Sequence, residues 1–243
     1  MEPAQPVQSP GWENSALGKF YLRFGQHFHS LAWYVDDLQE TCRVLREHDI
    51  RLFDMIGKPV TDPGRGDAVW THPLDTHAAF EFAVAPKFFI DPRLQPGWSI
   101  EFPRDRHPLG IECASHITML FRDLSDAQRV YQDALGATLI HRQEVPGHKR
   151  SFFFAVGEDT IIEAAQPLAA TSPEGRELEQ AGEGIFGLTL KARNLDRTAS
   201  HLQANNIRFE RKDHSLIINR DDAFGMVLGF TDQTIANDPR LRS

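Results

Sequence analysis

The sequence predicts an α+β protein built from tandem β-α-β-β-β units, three of them recognisable. Three observations carry that expectation. One grammar recurs in "HSLAWYVDDLQETCRVLREHDIRLF" from His29, "HITMLFRDLSDAQRVYQDALGATLI" from His116 and "GLTLKARNLDRTASHLQANNIRFE" from Gly187. Each segment opens with strand-like alternation, passes through Asp or Asn beside Leu, and continues with apolar residues at helical spacing. The first and third align without a gap: Leu38, Thr41, Leu45, Ile50 and Arg51 match Leu195, Thr198, Leu202, Ile207 and Arg208, the mark of a duplication. Strand candidates divided by turn residues then follow each helix.

Taken in order, the first helix starts at Asp37, whose carboxylate caps it while Glu40 completes a capping box; Leu38, Thr41, Cys42 and Leu45 form its inward stripe. Strands follow in "DAVWTHP" and "HAAFEFAV". In the second unit Asp123 caps, Leu124, Ala127, Val130, Tyr131 and Leu135 face inward, and Gly136 ends the helix in the left-handed conformation it tolerates. Its strands are "ATLIHRQEV", "RSFFFAVG" and "DTIIEAAQP", divided by Pro146-Gly147 and by Gly157-Glu158-Asp159. The third unit has Asn194 as cap, Leu195, Ala199 and Leu202 inward, and strands in "SLIINRD" and "FGMVLGFTD". The expected division is an N-terminal segment 1–28, a first unit 29–86, a linker 87–112, a second unit 113–166, a linker 167–184, a third unit 185–232 and a tail 233–243.

The 243 residues, 41% hydrophobic, suffice for one large core or two small ones. A formal charge of -8, from 34 acidic and 26 basic residues, offers no basic stripe, so neither nucleic acid nor an anionic membrane surface is an expected partner. Cys42 and Cys113 lack CxxC spacing and suit a reducing setting. With no signal-peptide pattern and no run of about 18 apolar residues, the chain is expected to be cytoplasmic.

Chemistry-bearing residues recur with the repeat. His29 and His116 stand at first-strand starts, while Glu81 in "HAAFEFA" and Glu163 in "TIIEA" stand in last strands. A carboxylate inside an apolar strand is costly unless it is paired or metal-bound. Gly187 takes the histidine position of the third unit and Leu228 approximately the glutamate position. Counting back from Leu38 lands on Ser30, which leaves His27 and a one-residue bulge at His29 open as alternatives. His72, His77 and the "HKR" at His148 read as loop or hairpin-tip residues, the last able to meet an anionic substrate.

Tandem βαβββ units with these residues resemble the vicinal oxygen chelate superfamily, the glyoxalase, bleomycin-resistance and extradiol dioxygenase group, over residues 17–232. "SALGKFYLRFGQHFHSLAWYV" and "THPLDTHAAFEF" resemble the inter-unit join and last ligand strand of its methylmalonyl-CoA epimerase-like branch. The resemblance implies a cup formed by two units and a divalent ion (Zn, Fe, Mn, Ni or Co) held by His29, Glu81, His116 and Glu163. It also implies proton transfer next to a carbonyl of a small organic substrate, by an isomerase or lyase with Glu81 or Glu163 as base. An Fe(II) extradiol dioxygenase and a metal-free small-molecule-binding protein are the alternatives. Three units leave two pairings open. The first and second unite around one metal, or the second and third unite; since three units cannot pair off within one chain, a homodimer that buries the unpartnered unit is expected.

Overall fold

The computed structural model describes residues 9–64, 67–85, 96–97, 99 and 105–241, so most of the 87–112 linker lies outside the described residues. The chain divides into two units, Met1–Pro86 and Lys87–Ser243.

In the first unit the order is helix α1 (Ala16–Phe24), strand β1 (Ser30–Tyr34), helix α2 (Leu38–Glu47), strands β2 (Leu52–Phe53) and β3 (Ala68–Thr71), a single turn α3 (Pro73–Thr76) and strand β4 (Ala79–Ala83). Ser15 caps α1 through Gly18 N–H, so the segment expected only as a join carries a helix. Asp37 caps α2 by accepting from Glu40 N–H at 3.0 Å, and Leu38, Cys42 and Leu45 are buried while Thr41 is half-buried. Asp49, in the left-handed region at φ 59, turns the chain back to the buried Ile50. The four strands run β1-β4-β3-β2, with β1 parallel to β4 and the other pairs antiparallel. Leu31 and Trp33 lie opposite Phe80 and Phe82, and Trp33 stacks on Phe82 at 5.7 Å. Phe80 and Phe82 are buried, each side chain contributing about 2–3 kcal/mol of apolar burial. Period-two alternation puts Ala32, Tyr34, Trp70 and Glu81 on the other face.

The second unit opens with strand β5 (Ile111–Leu120) and helix α4 (Leu124–Ala127), which runs on as a π-helical stretch, Gln128–Ala134. Strands β6 (Thr138–Val145), β7 (Lys149–Val156) and β8 (Thr160–Pro167) follow, then helix α5 (Pro173–Gln180), strand β9 (Gly184–Ala192), helix α6 (Leu195–Ala204) and strands β10 (Phe209–Lys212), β11 (Ser215–Ile218) and β12 (Val227–Thr231). The wide turn shows as Leu135 N–H donating to Val130 O, and it moves the inward position to Ala134, leaving Leu135 half-buried. Gly136 has φ 63, as its place after the helix requires. Residues 167–184 are more than a linker: Ser172 caps α5, and Leu178 packs with Leu120, Ala165 and Phe186.

Eight strands form one sheet, β10-β11-β12-β9-β5-β8-β7-β6, joined at its middle by antiparallel β5 and β9. Of the two pairings open on sequence, the sheet unites the second repeat with the third. Helix α6 covers one end, with Leu195, Ala199 and Leu202 packed on Leu216, Ile218 and Phe230. The duplication reaches side-chain detail. Arg51 donates from backbone N and Nε to one Asp75 oxygen (2.9 Å each), and Arg208 does the same to Asp222 (2.8 and 2.9 Å).

Candidate functional site

Strand register brings the site together. Glu163 on β8 lies beside Thr118 on β5 and Phe153 on β7, so His116, Thr118, Ser151, Phe153 and Glu163 share one face of the sheet. A register shift between Ala114 and His116, where β5 meets β9, marks an irregularity that re-aims the histidine. Glu163 is 2% exposed. One of its oxygens accepts from Lys149 Nζ at 2.6 Å and Ser151 Oγ at 2.7 Å; the other accepts from Thr118 Oγ1 at 2.7 Å and lies 3.5 Å from His116 Nε2. His116 Nδ1 stands 3.1 Å from Ser115 Oγ, and its ring meets Phe153 edge-on at 5.8 Å.

Charges follow from these contacts. Burial pushes the Glu163 carboxyl up, but the Lys149 ammonium, His116 and the hydrogen bonds from Lys149 and Thr118 outweigh it and hold the group at about 2. Burial pushes the His116 imidazole below its usual value against the pull of Glu163. For Lys149 burial opposes the charge, yet Glu163 prevails and the ammonium is raised. Near neutral pH the cluster is a carboxylate, an ammonium and a neutral imidazole. Since Nε2 faces a carboxylate, it carries the proton, and Nδ1 accepts from Ser115.

The C-terminal tail completes the setting. Ile235 packs against the cluster of Phe153, Ala155 and Ile161. Arg240, held by Asp238 at 2.8 Å, donates to the carbonyls of Ala114 (2.7 Å) and Ser115 (2.8 Å), the backbone that carries His116. Sequence reasoning missed Arg240 and took Lys149 for part of a solvated hairpin tip. Lys149, Ser151 and Phe153 alternate along β7 on the Glu163 side, a signal legible once the β7/β8 register is known. His148 lies 3.7 Å from the buried Glu174 of α5. A shallow groove lined by Phe121, Arg122, Gln166, Leu168, Leu178 and Glu179 contains none of the cluster residues.

The other candidates fall elsewhere. Glu81 lies beside Ala32 as Glu163 lies beside Thr118, so the two glutamates hold one place in their repeats. The place of His116 is held in the first unit by Ser30; His29 precedes it by one residue. The His29 ring meets Phe20 edge-on at 4.8 Å, its Nδ1 is 3.2 Å from Ser30 Oγ, and burial lowers its affinity for a proton. In the third repeat Gly187 holds the histidine place and Gly229, lying beside Thr189, holds the glutamate place; Leu228 is one residue off. A Cβ on Gly187 would come within 3.0 Å of Val227 O, so the close strand approach leaves little room for a side chain there.

Residues 114–232 match the description Glyoxalase/Bleomycin resistance protein/Dioxygenase superfamily. These residues, just under half of the chain, are the part that matches that superfamily. Among solved structures it is similar to methylmalonyl-CoA epimerase from Mycobacterium tuberculosis, at 24% identity over 51% of this chain and 89% of that one, with a TM-score of 0.47. A hypothetical protein from Bacillus halodurans C-125 is similar at 18% identity over 50% of this chain and 94% of its own, also with a TM-score of 0.47. Uncharacterized protein YqjC of Bacillus subtilis (strain 168) is 25% identical over 93 residues, 38% of this chain; the match spans 66% of that relative's length.

The superfamily resemblance implied a divalent ion, and the donor set can be tested against it. Among the described residues no group of three or more His, Cys, Asp or Glu is disposed to hold a metal ion. In the eight-stranded unit two donors, His116 and Glu163, stand where glycines hold the two other places, and an ammonium already occupies the carboxylate. Those residues do not fit a divalent ion, which takes four or more ligands and repels a neighbouring ammonium. No helix among the described residues is long and apolar enough to cross a membrane.

Proposed function

We propose that the eight-stranded unit binds a small organic molecule bearing a carbonyl group and moves a proton next to that carbonyl, as an isomerase or lyase. His116 is the group that takes the proton from carbon and returns it to the rearranged product. The observation that carries this reading is the environment of His116: a buried imidazole kept neutral by desolvation, hydrogen-bonded at one nitrogen and facing a permanently ionised carboxylate at the other. With Nε2 already protonated toward Glu163, the proton from carbon goes to Nδ1 as the Ser115 hydroxyl turns its hydrogen away, and Glu163 at 3.5 Å from Nε2 stabilises the imidazolium that results. Glu163, at about 2, is too weak a base for the task and acts as a positioning residue. The Lys149 ammonium is the cation available to the negative charge that develops on the carbonyl oxygen.

The test is solvent-deuterium exchange at the carbon beside the carbonyl of 2-oxo acids, hemithioacetals and acyl-CoA thioesters, with chelator-treated protein. Exchange that persists without metal and falls about 100- to 10,000-fold in His116→Gln supports the reading. Exchange that needs added Zn, Co, Ni or Mn and is lost in Glu81→Gln would place the reaction at a metal site instead. Oxygen uptake with catechols and Fe(II) would select the dioxygenase. The fully paired Glu163 and the tail packed on the same face favour one second reading, a metal-free small-molecule-binding protein, for which saturable binding without exchange is the sign. Two free thiols, Cys42 and Cys113, agree with a reducing, cytoplasmic setting.

A further inference from the structure

A strand at the edge of a sheet invites pairing, and soluble proteins blunt such edges with charge, proline or brevity. Three of the four edges here are blunted. Strand β10 reads Phe-Glu-Arg-Lys, β6 carries Arg142 and Glu144, and β2 has two residues. The fourth edge, β1, reads Ser-Leu-Ala-Trp-Tyr, without a charge or a proline, and no described strand lies on its outer side. Val35 N–H donates to Ala83 O, so by alternation the N–H and C=O of Ser30 and Ala32 point away from β4.

The chain shows what such an edge pairs with. Strand β5 is the counterpart of β1, and it joins β9 in an antiparallel register in which Ile117 faces Leu188 while His116 faces Thr189 and Thr118 faces Gly187. Counted from the helix caps Asp123 and Asn194, Ile117 and Leu188 are the same position of the repeat, so a local two-fold axis passes between them. The corresponding residue before Asp37 is Leu31, and the β4 register agrees: Leu31 lies beside Phe80 as Ile117 lies beside Ile162 and Leu188 beside Leu228. Strand β5 also shows what pairing adds. Its β8 ladder spans Ile117–Leu120, whereas its β9 ladder reaches back to Ile111; β1, with β4 alone, starts at Ser30.

We propose that the first unit completes its cup with a second copy of this chain, β1 pairing antiparallel with its counterpart about Leu31. Ser30 then faces Ala32 of the other copy, small residue against small residue, and Trp70 and Glu81 of each copy line one shared cup. Exposed apolar surface agrees. Among the described residues seven large apolar side chains are exposed in the first unit, Tyr34 at 56% among them, against three in the longer second unit. The glutamate place of the first repeat is thus half of a site that the second copy supplies.

Light scattering of the full chain at micromolar concentration tests this. The expected mass is twice that of one chain. Ala32→Pro removes an outward N–H without touching the β4 ladder, and Ala32→Lys puts a charge on the edge; each should yield a monomer with unchanged far-UV circular dichroism. If the proline variant unfolds, the lysine variant decides. In addition, Leu31→Cys places two thiols across a non-hydrogen-bonded antiparallel pair, with Cα atoms about 4.5 Å apart, and should form a disulfide-linked dimer under mild oxidation that the wild type does not. A folded wild-type monomer at tens of micromolar overturns the proposal. So does a dimer that survives both Ala32 variants and yields no Leu31→Cys cross-link.

Discussion

Glu163 and Glu81 stand at the same place in two copies of one repeat, beside Thr118 in one and Ala32 in the other, and their surroundings differ. Around Glu163 a second repeat is joined edge to edge, and Lys149, Ser151 and Thr118 satisfy the carboxylate. Around Glu81 the described residues form a sheet of four strands, and among them no second repeat belongs to its unit. The difference teaches that the repeat sets where a carboxylate sits, while the partner elements decide what it does. In the eight-stranded unit they turn a candidate ligand into one end of a buried ion pair.

The largest contrast should appear in stability. Glu163→Gln leaves the Lys149 ammonium buried without its counter-charge, a loss of about 3–5 kcal/mol, whereas Glu81→Gln should cost under about 1 kcal/mol. Lys149→Met combined with Glu163→Gln should recover part of the loss. Urea unfolding of the three variants measures this, and equal losses for the two glutamates would break the comparison.

Acid should act on the same pair. The folded Glu163 carboxyl lies at about 2 against an ordinary value of 4.5. Its contribution is therefore present above 4.5 and lost as pH falls toward 2, worth roughly 3 kcal/mol in all. His116 works in the same direction. Its lowered folded value means that the unfolded chain binds the proton more readily, so stability begins to fall below 6.5. Unfolding midpoints between pH 7 and 3 should decline in wild type and decline less in the double variant. A flat profile would contradict the ion pair.

The smallest effects should match between the regions. Asp37→Ala and Asn194→Ala each remove a cap that accepts one N–H, at 3.0 and 2.9 Å, and each should cost about 1 kcal/mol. Unequal losses in thermal unfolding would show that the two helices owe different amounts to their caps, and would sharpen the account of where the duplicated units diverged.

Helix caps were legible because an Asp or Asn before an apolar stripe acts locally: Asp37, Asp123 and Asn194 all cap as expected. Glu163 was legible because a carboxylate inside "TIIEA" demands a partner. The identity of that partner was not, since Lys149 lies across a hairpin whose register fixes which side chains turn inward. His29 and Leu228 each miss the repeat position by one residue, and in a strand one residue moves a side chain to the opposite face. The π-helical turn after Ala127 was hidden because it depends on packing rather than on local spacing, whereas the helix at Pro173–Gln180 did carry a local signal, Ser172 as cap and Pro173 at the first position, that the linker-like composition masked.

The most direct test of the account is a divalent-metal titration watched at the His116 ring by nuclear magnetic resonance, with His116→Gln assigning the signal. The account predicts a ring that titrates below 6.5, with its Nε2 protonated, and that is neither shifted nor broadened by one equivalent of Co(II) or Mn(II). A saturable paramagnetic shift of that ring, lost in Glu163→Gln, would contradict it and return His116 and Glu163 to the role of metal ligands.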